Sequence, residues 1–312
     1  MGPVRIGTCS FADEALQKYF YPHGLRTGRD QLPYYAQYFD TVEIDSTFYR
    51  LPSFENVEKW AAWTPDDFVF HFKAFAPMTR HPVKLEQVPD DLREGLQTDN
   101  RDRVERMPRD VRGELVRRFR EALEPAAEAG KLGGILVQLA PYVVPKPQSW
   151  EYLEWLRAQL PDDELLVEFR HRSWLDDEHR DETLRFLEQH GMAFVVVDAP
   201  RNEAKNLIPT VIAVTSPLSY VRFHGRNAET WNVRGGSAAD RFDYLYPPDE
   251  LEDWVEPLKE LAGQADQVFA LFNTNRWSQH PDGSGQLVSQ GAHNAQALKA
   301  LLAGAGVPVA AS

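Results

Sequence analysis

Polar and charged residues fall at every second position in several short β-rich runs. Thr41–Ser46 offers Glu43 and Asp45 with Val42 and Ile44 on the other parity, and Phe68–Ala74 offers His71 and Lys73 among phenylalanines. Leu165–Arg170 supplies Glu168 and Arg170, and Tyr220–His224 supplies Arg222 and His224. Gln138 and Asn273 occupy matching places in two further runs. Carboxylates set beside cations can have their pKa values pushed apart, which suits paired general acid and base work. Glu43, Asp45, Glu168 and His224 are the candidates for that work. Lys73 is a candidate base, Schiff-base amine or phosphate contact. Arg170, Arg222 and Arg226 carry planar forks suited to carboxylate or phosphate. His71, Gln138, His171, Trp174, Trp231 and Asn273 complete the candidate substrate contacts.

The same inventory allows a metal. Glu43, Asp45, His71, Glu168, His171, Asp198 and His224 all fall near run ends, and carboxylate with imidazole suits zinc, manganese or iron. No HExxH, HxH or compact ligand spacing accompanies them. The cofactor is therefore unassigned, with a divalent metal as the candidate. GxGxxG, Walker and GxSxG patterns are absent, which argues against dinucleotide, P-loop and serine-hydrolase chemistry.

These residues need a scaffold that turns alternate positions inward. Eight runs qualify as strands: the four above with Val4–Ile6, Gly134–Ala140, Ala193–Asp198 and Val268–Asn273. Helical periodicity separates them at Asp30–Phe39, Glu55–Trp63, Gly113–Ala129, Ser149–Gln159, Glu178–His190, Asp249–Ala265 and Gly291–Leu302. Ser149 reads as an N-cap. Strand–helix alternation predicts a parallel sheet, and eight units predict a closed (β/α)₈ barrel with its site at the C-terminal strand ends. The barrel's outer face is covered by helices, so the charged parity must face inward and must be paired. Ala199–Ser219 shows no amphipathic helix, which predicts one outer helix lost or replaced. An insert-like stretch at about 76–112 follows the third strand. Within Arg93–Arg120 stand nine arginines against six acids, a solvated face or a mobile lid over the mouth.

The chain has 312 residues and a net charge of −13, from 34 basic and 47 acidic side chains. That field repels polyanions at long range and disfavours nucleic acid as a partner; a small anionic substrate in a local basic pocket remains compatible with it. The lone cysteine, Cys9, rules out a disulfide framework and fits a reducing cytoplasm. No apolar run approaches a membrane span, and no signal-peptide core opens the chain. The expectation is a single cytoplasmic domain over residues 1–312; nothing in the sequence sets its oligomeric state.

Several stretches resemble the YecE-like proteins, the domain-of-unknown-function family seventy-two, whose members are TIM barrels. They are IGTCSF at 6–11, FYP at 20–22, VEIDSTFYRLP at 42–52, TPDDFVFHFKA at 64–74, QLAP at 138–141, EFRHRSW at 168–174, RFHGR at 222–226 with Trp231, FNTN at 272–275 and HNA at 293–295. The chain departs from the family where Cys9-Ser10-Phe11 replaces the usual Ser-Gly-Trp. It also has Asp45 in place of the usual Asn, and Thr274 between two asparagines that are usually paired. The resemblance implies the barrel and a shared pocket, but no established reaction. The leading expectation is an enzyme, a hydrolase or lyase, that binds an anionic small substrate at the barrel mouth. The alternatives are a metal-dependent phosphodiesterase or endonuclease-like barrel on nucleic acid, and a non-catalytic ligand-binding or scaffold protein.

Overall fold

The structure, a computed structural model, describes residues 1–104, 106–200, 204–229, 231 and 241–310. Eight parallel strands close into a barrel: β1 (Val4–Thr8), β2 (Thr41–Ile44), β3 (Val69–Lys73), β4 (Leu132–Gln138), β5 (Leu165–Glu168), β6 (Met192–Asp198), β7 (Leu218–Phe223) and β8 (Gln267–Phe272). Each strand pairs with its sequence neighbour, and β8 returns to β1 through Val4 opposite Val268 to Thr8 opposite Phe272. The outer layer carries α1 (Glu14–Tyr19), α2 (Gly28–Tyr35), α3 (Phe54–Ala62), α4 (Arg109–Ala122), α5 (Glu124–Glu128), α6 (Pro147–Gln159), α7 (Arg180–Gln189), α8 (Pro248–Glu252), α9 (Val255–Gln264) and α10 (Gln290–Gly304).

Register explains why the two parities differ in chemistry. Thr8, Phe272, Phe223 and Asp198 lie side by side across β1, β8, β7 and β6, while Gly7, Leu271, Arg222 and Val197 form the adjacent row. The first row faces the helices, so Phe223 stacks on Phe272 at 4.4 Å and meets Trp254 at 4.9 Å. Phe72 on β3 likewise stacks against Trp60 of α3. The second row faces the barrel axis. Helix starts are set locally: the Asp13 carboxylate accepts from Leu16 N–H at 2.9 Å, and the Ser53 hydroxyl accepts from Asn56 N–H at 3.2 Å.

Several boundaries differ from the sequence reading. β2 stops at Ile44, and Asp45–Phe48 turns into a 3₁₀ helix, so Asp45 no longer follows strand parity. Ser149 does not cap α6: the cap is Lys146, with Pro147 at the first position, and the Ser149 hydroxyl is buried without a partner. The predicted 113–129 helix divides into α4 and α5 at Leu123, and the 249–265 helix into α8 and α9. The described part of Ala199–Ser219 contains no helix, as expected; residues 201–203 lie outside the described residues. The insert after β3 forms 3₁₀ turns and a two-stranded ladder, Val83–Lys84 against Arg103–Val104. No helix among the described residues is long and apolar enough to cross a membrane.

Candidate active site

The centre of the barrel is an ion lattice built on Arg222 of β7. Its Nε donates to Glu43 Oε2 at 2.9 Å and its Nη2 to Glu43 Oε1 at 2.7 Å, the two-pronged geometry that a guanidinium and a carboxylate share. Nη1 donates to Glu168 Oε2 at 2.5 Å, and the Tyr220 hydroxyl donates to Glu43 Oε2 at 3.0 Å. Glu43, Glu168 and Arg222 are all 0% exposed. Charges so buried persist only when each is paired and hydrogen-bonded.

Above this lattice, Glu168 Oε1 accepts from Gln138 Nε2 at 2.8 Å, His224 Nε2 at 3.1 Å and Arg170 Nη1 at 3.4 Å. Burial alone would raise the Glu168 carboxyl, but Arg222, His224 and Arg170 together hold it well below the usual carboxylate range. Burial pushes His224 down to about 3, so its ring is neutral. An ionised carboxylate only accepts, so His224 Nε2 carries the proton, and Nδ1 accepts from Asn273 Nδ2 at 3.0 Å. Two aromatic rings close over this layer: Phe242 lies 5.2 Å from the His224 ring, and Trp231 lies 6.1 Å from it and 5.4 Å from the Arg170 guanidinium. Trp231 Nε1 is buried without an acceptor among the described residues. Cys9 Sγ lies 3.6 Å from Arg222 Nη2; burial and Glu43 push its thiol up, so it stays protonated.

The open rim holds a different set. Lys73 sits 4.6 Å over the Phe48 ring with no carboxylate at ion-pair distance among the described residues. Burial and Arg222 push its amine down, against Glu43, Glu168 and Asp45. Asp45 rises to about 6 through burial, with Lys73 opposing and Glu43 adding to the rise. Asp13, the cap of α1, rises to about 7 through burial, with a contribution from Asp45. His81 is pushed down to about 3 by burial, Lys73 and Arg170, and its Nδ1 lies 2.8 Å from the Thr79 hydroxyl. Sequence reasoning missed Asp13, His81 and Tyr220. Asp13 reads only as a cap, and His81 lies in an insert with no strand parity to follow. Tyr220 shares the parity of Arg222 and was legible.

Four candidates stand apart from the cluster. His71 faces inward but one layer deeper, edge-on to Phe269 at 4.3 Å and Tyr220 at 4.8 Å, and neither ring nitrogen has a partner. It fits because residue 133 is glycine: a Cβ there would lie 2.5 Å from His71 Cε1 and 2.4 Å from Val69 Cγ1. Gly133→Ala is therefore expected to cost about 1–3 kcal/mol in urea unfolding, as overpacked cores do; a change below about 0.5 kcal/mol would refute this account of the glycine. Trp174 is a packing residue, its Nε1 donating to Val143 O at 2.7 Å and its ring stacked on Phe169. His171 caps a 3₁₀ turn through Ser173. Arg226 turns to the outer face, where Nε reaches both Asp198 carboxylate oxygens at 3.0 Å and Nη1 lies 3.3 Å from Glu250. Gly225, at φ 80°, makes that turn, so parity past the strand end misplaces both Arg226 and any phosphate site built on it. Among the described residues no group of three His, Cys, Asp or Glu side chains converges as metal ligands.

Comparison with known proteins places this barrel among relatives. A family described as "Protein of unknown function DUF72" matches residues 5–305. The UPF0759 protein YunF of Bacillus subtilis is 32% identical over 262 residues, covering 83% of this chain and 85% of that protein. The UPF0759 protein YecE of Escherichia coli K12 is 28% identical over 236 residues, 70% of this chain and 75% of that one. A DUF72 family crystal structure from Thermotoga maritima superposes with a TM-score of 0.73 at 31% identity, over 96% of this chain and 99% of the other. One from Enterococcus faecalis shares the fold at a TM-score of 0.75 and 24% identity, over 96% and 95%.

Proposed function

This chain belongs to the DUF72 family, whose description assigns no reaction, and we propose from its own barrel mouth that it is an enzyme acting on a small anionic substrate. The substrate carries phosphate or carboxylate, and the chemistry is proton transfer by Asp45 and Lys73. Lys73 carries this reading. Its ammonium has no carboxylate at ion-pair distance among the described residues, in a wall where burial and Arg222 already strain its charge. An anion at that point restores the charge balance. Arg170 is the second anchor: Nη1 rests on Glu168, and the rest of the fork is available to two substrate oxygens. The orphaned indole N–H of Trp231 offers a further donor.

Asp45, raised to about 6, and Lys73, lowered from its ordinary value, form a pair drawn towards neutral pH, where acid and base catalysts work best; such groups contribute roughly 10²–10⁴-fold. Glu43 and Glu168 are fully enclosed. Their role is to hold Arg222, Arg170 and His224 in place, so they are positioning residues. The metal-dependent alternative is less supported: the Arg222 guanidinium fills the space between Glu43 and Glu168 that a cation would take.

The test is thermal stabilisation by inorganic phosphate and small carboxylates at constant ionic strength. The native chain is expected to gain several degrees, with Lys73→Met and Arg170→Gln each losing most of the gain. Binding should weaken as pH rises through the lowered Lys73 pKa, because the cation is then lost. An unchanged anion response in Lys73→Met would remove the basis of this reading.

A further inference from the structure

The arginine-rich stretch divides into two groups. Arg93, Arg103, Arg117, Arg118 and Arg120 are ion-paired, to Asp90, Asp99, Glu114, Asp91 and Glu124 among others. Arg101, Arg106, Arg109 and Arg112 have no carboxylate at ion-pair distance among the described residues, and neither has Arg80 just upstream. Of these, Arg80, Arg106 and Arg112 line one cavity of about 510 Å³, together with Pro82, Met107 and Tyr142. In a chain of net charge −13, three guanidiniums around one concavity with no carboxylate partner among the described residues are not an average surface.

Two of the three arginines are also held in position. Arg80 and Arg112 lie against the Tyr152 ring, at 5.3 and 5.4 Å, and the Tyr152 hydroxyl is fixed on Met78 O at 2.7 Å. Arg112 Nε donates to Pro77 O at 3.0 Å, which leaves its two Nη groups for a ligand. Arg80 adopts φ 65°, a backbone region that non-glycine residues seldom occupy, and the Tyr142 hydroxyl donates to its carbonyl. Tyr142 is 59% exposed at the cavity edge, an aromatic residue beside the cations.

We propose that this cavity is a second binding site, for a small diphosphate-bearing ligand with an aromatic group, of the nucleoside-diphosphate type. Preplaced forks take phosphate oxygens two at a time, and a ligand with more than one phosphate answers three cations at once. The cavity lies in the size range of small-molecule sites. Its concavity and the protein's negative field favour a small ligand over a nucleic-acid backbone. The site shares no lining residue with the barrel mouth, although the two are neighbours: Arg80 faces this cavity and His81 the mouth.

Calorimetric titration of the full chain with ADP, pyrophosphate and adenosine tests the proposal. ADP and pyrophosphate are expected to bind, and adenosine is not. Arg106→Glu, at an exposed residue with no side-chain bond to the described residues, should weaken both ligands at least tenfold. Tyr142→Ala should weaken ADP and spare pyrophosphate, and Lys73→Met, altered only in the mouth, should retain both. Equal ADP affinity in the native and Arg106→Glu proteins would overturn the proposal. So would the absence of pyrophosphate binding, or a loss confined to Lys73→Met.

Discussion

Arg222→Met is expected to destabilise the barrel by about 3–5 kcal/mol, because it strips the partner from two carboxylates that are both 0% exposed. At the few degrees per kcal/mol typical of larger domains, the melting temperature should fall by roughly 10 °C. The pH dependence should also weaken. In the native chain Glu168 is held below its ordinary range, so its contribution is present above the unfolded carboxylate pKa and is lost as pH falls through the folded one. Without Arg222 the same carboxyl keeps, as its cation partner, only the longer Arg170 contact, at 3.4 Å, against the same burial, so it holds its proton to higher pH and less stability is lost in acid. Guanidinium unfolding at pH 5 and pH 8 reads both effects. Adding Glu43→Gln and Glu168→Gln to Arg222→Met should restore much of the loss, since three neutral side chains demand no pairing. A single-variant cost below about 1 kcal/mol would mean that the lattice is open to water.

The second large effect concerns acid. His71 is fully buried with no partner for either nitrogen among the described residues, and burial pushes it down to about 3. A histidine that must stay neutral when folded contributes stability that is fully present above the unfolded pKa of about 6.5 and is lost as pH falls towards the folded value. Between pH 8 and pH 5 that loss is about 2 kcal/mol, at about 1.4 kcal/mol per pH unit below 6.5. His224 and His81 act in the same direction. Asp13, Asp40 and Asp45, raised to about 7, 6 and 6, oppose it, because carboxyls that hold protons in the folded state gain stability as pH falls. The informative quantity is therefore a difference. His71→Leu should lose about 2 kcal/mol less than the native chain between pH 8 and pH 5 in matched unfolding curves, and parallel curves would show that His71 reaches water.

Strand parity makes most of the inner cluster legible in the sequence. Glu43, Gln138, Glu168, Arg170, Arg222, His224 and Asn273 meet because each sits on the inward row of a strand or one step beyond it, and a period of two survives that far. Parity carries no information on depth, however, so His71 and Lys73, two residues apart, looked equivalent although one lies in the core and the other at the rim. It also fails where the backbone leaves the strand. Asp45 opens a 3₁₀ turn, and Arg226 follows a glycine at positive φ. Trp174 reads as a candidate substrate contact because loop position says nothing about packing, and here Phe169 and Trp150 already cover it. The outer elements were readable as elements, while their ends shifted wherever a cap or a proline decided the boundary.

The seam where β8 meets β1 has a consequence for the order of events during folding. Residues that join there are more than 260 positions apart, from Val4 to Val268, and contacts of that separation form late. Asn273, which orients His224, arrives with the last strand, and Cys9, beside Arg222, with the first. A chain still emerging from synthesis can hold β2, β5 and β7, yet its barrel stays open along one side and water reaches Glu43 and Arg222. The lattice becomes dry only when the final strand docks. The ion pairs at the heart of the candidate site are thus weakest while the chain is incomplete, and closing the last gap dries the lattice and locks the fold in a single step.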